Sequence, residues 1–550
     1  MQPAGVVLGN RRWTLKRWNG WGDDSVTYPV EEEQRQFLSG LVGAGTRQED
    51  VELASVLKAV PASRLPEHPR VSVEPLDRLR HARGHSLPDW IALRCGTIHA
   101  FPDGVAYPED GAQVRELLHY AAGAGAWVIP YGGGTSVVGH INVPDGAAPV
   151  LTVDLGRLNR LLHLDERSHL ATFGAGIAGP DLEAHLRSRD CTLGHFPQSF
   201  EYSTLGGWIV TRSSGQQSLG YGRIERLFAG GRLESPAGTL DLPPFPASAA
   251  GPDLREAVLG SEGRLGILTE ATVRVASLPR REEFHGFFFR DFEHGQEAAR
   301  EIMQARLPLC MLRLSTAVET QTNLALAGHA QVIRALEGAL SLRGVRDEKC
   351  MLLLGCAGRE GIVGAALRQA VSIARGHGGV HVGQTFGKQW HKSRFRTPYL
   401  RNTLWELGYA IDTLETAVSW TAIPDLLVEL ERALRGGLSE LGERVHVFTH
   451  LSHLYPYGSS LYTTYLFRVA SSGSREEDAA ETLRRWRVLK KAASQAILAH
   501  GGTISHQHGV GTDHLAYLPG EKGALGMAAL ADLCHRFDPQ GIMNPGKLIR

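Results

Sequence analysis

The stretch PYGGGTSVVG, Pro130 to Gly139, restricts the fold more than any other part of the sequence. It follows the strand-like apolar run AWVI, so a strand must end in a loop of three consecutive glycines. Glycines let the backbone approach a ligand closely and turn its N–H groups toward an anion. Thr135 and Ser136 add hydroxyl donors directly after them. A tight surface turn is the plain alternative, but Gly-Gly-Gly-Thr-Ser straight after Val-Ile-Pro favours phosphate binding. No Gly-Lys-Ser/Thr follows, so this is not a P-loop, nor is it the G-x-G-x-x-G that opens a dinucleotide-binding helix. Two further small-residue loops are STLGGWIVTRSSG (Ser203 to Gly215) and LGSEGRLGILTE (Leu259 to Glu270). Each is weak alone. Together, each beside strand-like sequence, they suit a long ligand with a pyrophosphate in its middle.

The chain around these loops is long enough for about two to four domains. Residues 1–95 read as mixed and mostly helical, and 96–279 alternate short strands, helices and glycine turns. In 280–500, strand-like runs (EEFHGFFF, LCMLRLS, KCMLLLGCAG, SLYTTYLFRVA) alternate with helices (GQEAAREIMQARL, REGIVGAALRQAVSIARGH, PDLLVELERALRGGL). Residues 501–550 add a histidine-bearing loop and a last helix. This predicts an α+β fold whose second domain carries an antiparallel sheet. Lys and Arg number 58, and so do Asp and Glu, which gives no reason to expect a nucleic-acid partner. No apolar run is long enough for a transmembrane helix, and the opening MQPAGVVLGNRRW has no signal-peptide pattern. The final Leu-Ile-Arg is not a peroxisomal signal. Six scattered cysteines without C-x-x-C read as reduced thiols in a cytoplasmic protein.

Near the end, ISHQHGVG (Ile504 to Gly511) sets two imidazoles two residues apart. The spacing is compatible with a metal site, an acid–base site or a polar turn, and does not choose among them.

IPYGGGTSVVG, GHFPQSFEYSTLGGWIVTRSSG and GSEGRLGILTEATVRV, in this order and with VDLGRLNRLLHLD and GAGIAGPDLEAHL, resemble the FAD-binding domain of the vanillyl-alcohol-oxidase/p-cresol-methylhydroxylase superfamily. The resemblance implies a two-subdomain PCMH-type FAD-binding domain plus an α+β cap. It implies pyrophosphate contacts from Gly132, Gly133, Gly134, Thr135 and Ser136. Around the rest of the cofactor it places Pro130, Pro197, Ser199, Ser203, Thr204, Gly206, Gly207, Arg212, Ser213, Gly215, Glu262, Gly263, Gly266 and Ile267. Some members attach flavin through a histidine or cysteine. Here Tyr131 precedes the glycines and no histidine does, so non-covalent FAD is expected.

The outer segments are similar to the alkylglycerone-phosphate synthase family, also called alkyl-dihydroxyacetone-phosphate synthases. They are WNGWG (Trp18 to Gly22), DRLRHARGH (Asp77 to His85), YLRN (Tyr399 to Asn402), LETAVSW (Leu414 to Trp420) and SHQHGVG. The similarity runs from about residue 13 to the end. It implies exchange of the acyl chain of acyl-dihydroxyacetone phosphate for a fatty alcohol, with the flavin as covalent catalyst and no net redox change. It also implies lipid substrates, a homodimer and peripheral membrane contact. By this resemblance Tyr462 is the catalytic tyrosine, while Arg401 and Arg313 serve the substrate. By pattern alone Tyr462 could equally be a core residue, and Arg401 a solvated helix charge.

Three departures matter. The family's loop has three successive histidines, and Gln507 replaces the middle one. No metal is therefore expected, and His506 and His508 become hydrogen-bonding and proton-transfer groups. His450 stands where the family has an arginine, at the expected phosphate end of the site. NPGKLI looks more like the flavin-dependent D-2-hydroxyacid dehydrogenases, which gives the alternative function, oxidation of a D-lactate- or glycolate-type acid. Against it, PYGSSLY puts Tyr462 where those enzymes carry a metal-site histidine. A flavin or lipid carrier without turnover is the third reading.

Overall fold

The computed structural model describes residues 16–327 and 330–549. The signal-peptide and C-terminal-signal readings, and the start of the family similarity near residue 13, involve residues outside these.

Two sheets build the half that carries the glycine loops. The first has four strands in the order Val71–Ser72, Gly104–Ala106, Val150–Asp154, Trp127–Tyr131. Its last three strands are parallel and the first is an antiparallel edge. Val150–Asp154 is buried along its whole length, as a parallel strand covered on both faces must be. Because Val71–Ser72 joins this sheet, it begins inside the region read as helical. The second sheet is antiparallel: Leu161–Asp165, Leu170–Gly174, Ile267–Arg274, Phe228–Ser235, Gly238–Leu242. Its first two strands form a hairpin, where Asp165 Oδ1 accepts the N–H groups of Arg167 and Ser168.

The cap is one seven-stranded antiparallel sheet. Its order is Val380–His381, Arg281–Phe289, Cys350–Gly358, Met311–Ser315, His446–Tyr455, Gly458–Arg468, Tyr409–Ser419. Alternation along the strands sorts their side chains. Leu312, Leu314, Leu451, Leu461 and Leu414 enter a core shared with Ile302, Val363, Leu430 and Ile497 of the covering helices. The opposite face carries Arg313, Ser315, His450, Ser460, Tyr462 and Glu415, by the pairings Ser315↔His450↔Tyr462↔Glu415. A register shift between Leu451 and Leu454 brings His453 beside Ser460, whose Oγ accepts its N–H at 3.0 Å.

The chain end returns to the first sheet: Val128 N–H bonds Ile542 O, and Asn544 N–H bonds Val128 O. All six cysteines are free. Among the described residues no helix is long and apolar enough to cross a membrane.

Candidate active site

The glycine loop is pressed against the second loop, and this is why it needs glycine. A Cβ at Gly133 would lie 1.8 Å from the Tyr202 carbonyl oxygen, and one at Gly132 2.3 Å from Thr204 Oγ1. Gly134 has φ +69°, which a side chain would strain. Pro130 and Gly263 likewise meet, with 3.0 Å from a Gly263 Cβ to Pro130 Cγ. Around these loops Arg80 Nε, Arg83 Nε, Asn142 Oδ1, Ser261 Oγ and Asn544 Oδ1 are buried without a hydrogen-bond partner. Buried polar atoms are normally bonded, so this mixed set of donors and acceptors fits a long, polar, anionic ligand such as FAD.

Several of the expected cofactor residues are committed to the protein itself. Glu262 turns both carboxylate oxygens to the C-terminal loop, accepting Val510 N–H at 2.5 Å and Gly511 N–H at 2.9 Å. Arg212 pairs with Glu256 at 2.7 Å, both of them lining the large cavity described below. Ile267 is core, 1% exposed. Gly266 backs onto the Glu234 carbonyl, where a Cβ would lie at 2.4 Å. Ser203 Oγ bonds Ser199 O and receives the Trp208 indole N–H at 2.7 Å. Thr204 caps the short helix Leu205–Val210, which contains Gly206 and Gly207. Ser213 Oγ lies 3.2 Å from His195 Nε2, and Gly215 packs on the backbone of Phe196, next to Pro197. Ser136 Oγ bonds His140 Nδ1 at 2.8 Å, beside Thr135.

Tyr462 is not a core tyrosine. It is half-buried, whereas its neighbours Leu461 and Thr463 are fully buried. Its hydroxyl bonds Thr413 Oγ1 at 3.2 Å. The ring stacks on His450 at 5.0 Å and meets the His508 ring edge-on at 5.8 Å. Burial pushes the phenol up to about 12, so it carries its proton at neutral pH. Arg313 and His450 do meet, at a residue the sequence did not single out. Glu319 takes Arg313 Nη2 at 2.5 Å on one oxygen and His450 Nδ1 at 3.0 Å on the other. Burial opposes the Glu319 charge, yet His450 and Arg313 draw it down to about 2.

The C-terminal loop is organised by Glu415. Its Oε1 accepts the Ser460 hydroxyl at 2.6 Å, and its Oε2 the Gln507 amide at 2.5 Å. His506 N–H donates to the Glu415 carbonyl at 3.0 Å, and His506 Nδ1 lies 3.2 Å from Oε1. On the other side of the ring, Arg223 Nη1 is 2.8 Å and the Tyr455 hydroxyl 2.7 Å from Nε2. A guanidinium can only donate, so Nε2 accepts and the ring proton sits on Nδ1, toward Glu415. His506 is thus tied into a scaffold, and the histidine that reaches Tyr462 is His508. Glu415, His453 and His506 each bring one donor atom within 4.8 Å of the others, a spacing a cation could use. The Arg223 cation already beside His506 opposes a second positive charge there.

Arg401, in the helix Thr397–Glu406, stacks its guanidinium 4.4 Å over the Trp90 ring and donates from Nη1 to His85 O at 2.5 Å. Its Nε and Nη2 are buried with no hydrogen-bond partner. Burial lowers it to about 10, and Asp412, Asp89, Tyr465 and Tyr462 act against that. A cavity of about 1320 Å³ borders the third glycine loop at Ser261 and Glu262 and the C-terminal loop at His506 and Gln507; Leu219, Met303, Leu307, Leu530 and Leu533 are among its apolar residues.

Sequence reasoning missed Glu415, Glu319, Arg223, Tyr455 and His453 as site residues. Glu415 stood in LETAVSW, but only the pairing of its strand with the Tyr462 strand shows what it does.

Two α+β halves with glycine loops at their junction define the FAD-linked oxidase class. Residues 102–241 match the FAD binding domain, and residues 278–548 match the FAD linked oxidases, C-terminal domain. The chain is 32% identical over 481 residues to the alkyldihydroxyacetonephosphate synthase of Dictyostelium discoideum, spanning 86% of this chain and 77% of that one. A solved structure of alkyldihydroxyacetonephosphate synthase superposes with TM-score 0.83 at 27% identity, covering 98% of this chain and 99% of the other. The mitochondrial D-lactate dehydrogenase [cytochrome] of Arabidopsis thaliana is more distant, 25% identical over 452 residues, 82% of this chain and 73% of that one. The chain belongs to the alkyldihydroxyacetonephosphate synthase family, and its cofactor is FAD.

Proposed function

We propose that the protein exchanges the acyl chain of an acyl-dihydroxyacetone phosphate for a fatty alcohol, giving an ether-lipid precursor. The observation that carries this reading is Arg401: a guanidinium with two buried, unpartnered nitrogens and no hydrogen-bonded carboxylate. Such a group calls for an anion, and a phosphate with several acceptor oxygens suits it. Bound FAD supplies the electron-accepting ring system that the exchange needs. The residues do the rest. Tyr462 hands a proton to or from the substrate carbon, and His508 lies against it to relay that proton. Arg313 and His450 close the phosphate end of the polar sheet face, with Glu319 fixing their orientation. Glu415, through His506 and Gln507, keeps the loop that bears His508 in place. The apolar part of the cavity accepts the long chain, and no step is assigned to a metal.

Membrane contact and a homodimer belong to the same reading, in a cytoplasmic protein. Tyr457, 77% exposed, lines the cavity, and Leu525, 84% exposed, lies between the lining residues Lys522 and Leu530. Apolar groups so placed suit entry of a chain from a bilayer.

Anaerobic flavin spectra with D-lactate and with glycolate separate this reading from the dehydrogenase alternative. The oxidised spectrum should persist with both. Rapid bleaching by either would support oxidation of a hydroxy acid instead.

A further inference from the structure

Three segments that carry the similarity to the synthase family, WNGWG, DRLRHARGH and YLRN, meet in one place. The Trp18–Gly22 turn lies against the face of the Thr397–Glu406 helix that carries Tyr399 and Asn402. Asn402 Oδ1 accepts Trp21 N–H at 3.0 Å, and Asn402 Nδ2 donates to Trp21 O at 3.0 Å. Arg94 Nη2 adds a second donor to Asn402 Oδ1, and Arg94 also holds Asp50, which accepts from Asn19. The fit explains both glycines of the turn. A Cβ at Gly20 would lie 2.6 Å from Asn402 Oδ1, and one at Gly22 2.2 Å from the Tyr399 ring.

The same turn reaches the glycine loop and Arg401's other anchor. Lys16 Nζ donates to Gly133 O at 3.0 Å. The Trp21 ring meets the His85 ring edge-on at 5.0 Å. His85 donates its N–H to Ser136 O at 2.6 Å and accepts Arg401 Nη1 on its carbonyl. An unbroken path therefore runs from the phosphate loop through His85 to Arg401. A second runs from that loop through Lys16 and the turn to Asn402, next to Arg401 in the chain.

We infer that the WNGWG turn, clamped by Asn402, is a positioning element that sets Arg401 at a fixed place relative to the glycine loop. Asn402 touches no reacting group and acts through its neighbour. The inference rests on Arg401 holding the substrate phosphate.

The test uses the full-length holoprotein and three variants, Asn402→Ala, Gly20→Ala and Arg401→Ala, with a double variant joining Asn402→Ala to Arg401→Ala. Gly20→Ala pries the turn from Asn402 while leaving Asn402 and Arg401 chemically intact, so the result does not hang on one variant folding. Palmitoyl-dihydroxyacetone phosphate is compared with its unphosphorylated analogue, and bound FAD and Tm are measured for each protein. Asn402→Ala and Gly20→Ala should raise KM for the phosphorylated substrate about tenfold, as loss of a well-aimed charge-assisted bond does. They should keep most FAD and leave kcat and the unphosphorylated analogue nearly unchanged. In the Arg401→Ala background Asn402→Ala should add nothing to KM. Arg401→Ala raising KM while both turn variants leave it unchanged would overturn the inference alone. So would turn variants whose effect adds fully to that of Arg401→Ala. An unchanged KM in Arg401→Ala itself would remove the phosphate reading first, and this inference with it.

Discussion

Glu415 and Tyr462 stand directly opposite each other across a pair of antiparallel strands, on the same face of the cap sheet. One strand pair thus carries both the Tyr462 phenol, to which we assign the proton transfer, and the carboxylate that anchors the loop of His506, Gln507 and His508. A side chain on a strand is held more precisely than one on a loop, and the loop borrows that precision through Glu415.

Replacing Tyr462 by Phe should therefore cost turnover and little else. The hydroxyl bonds Thr413 Oγ1, so stability should fall by no more than about 0.5–1.5 kcal/mol. Product formation per bound FAD should drop by about 10²–10⁴-fold, the usual contribution of a general acid–base group. Near-normal turnover in a well-folded Tyr462→Phe protein would remove that residue from the chemistry.

Acid should act on the Arg313–Glu319–His450 cluster in a defined window. Glu319 titrates near 2 in the folded chain against an ordinary value of 4.5, so its folded pKa is depressed. Its stabilising contribution is then complete above pH 4.5 and lost as pH falls toward 2. Glu319→Gln should be less stable than the parent at pH 7, and the gap should narrow through that window. Urea midpoints for both proteins from pH 7 to the acid limit of solubility would show it. A gap that stays constant would contradict the assignment.

Flavin should leave with acid. The loop offers Tyr131 before its glycines and no attachment histidine. Precipitation should leave a yellow supernatant containing intact FAD and a colourless pellet. Flavin retained by the polypeptide would show a covalent bond.

Turnover should survive a chelator. Glu415, His453 and His506 have metal-compatible spacing, but Arg223 already bonds His506. Activity lost on chelation and restored by zinc or manganese would show that a cation displaces this arrangement.

The glycine loops were the most legible part of the sequence because a run of glycines shows in the residues themselves, whatever they come to meet. Gly133 sits against the Tyr202 carbonyl, Gly132 against the Thr204 hydroxyl, and Gly134 has a positive φ, so each position favours glycine. The alternating residues of GSSLYTTYLFR also announced a strand with Tyr462 on one face. What stayed hidden depends on register between segments far apart in the chain. Nothing near Glu415 says that it faces Tyr462, and nothing near Glu319 says that it meets His450. His506 and His508 look equivalent as a motif, yet Arg223 binds one and Tyr462 meets the other. The edge strand Val71–Ser72 was invisible because two residues carry no periodicity.

The account stands most directly on one measurement. Purified holoprotein is incubated with palmitoyl-dihydroxyacetone phosphate and isotope-labelled hexadecanol, and the phosphorylated lipid product is analysed alongside the Tyr462→Phe and Arg401→Ala proteins. The label should appear in an ether linkage with release of one palmitate per product and no net change in the flavin's redox state, and both variants should lose most of it. Absence of labelled ether, with FAD fully bound and the protein folded, would contradict the proposed function.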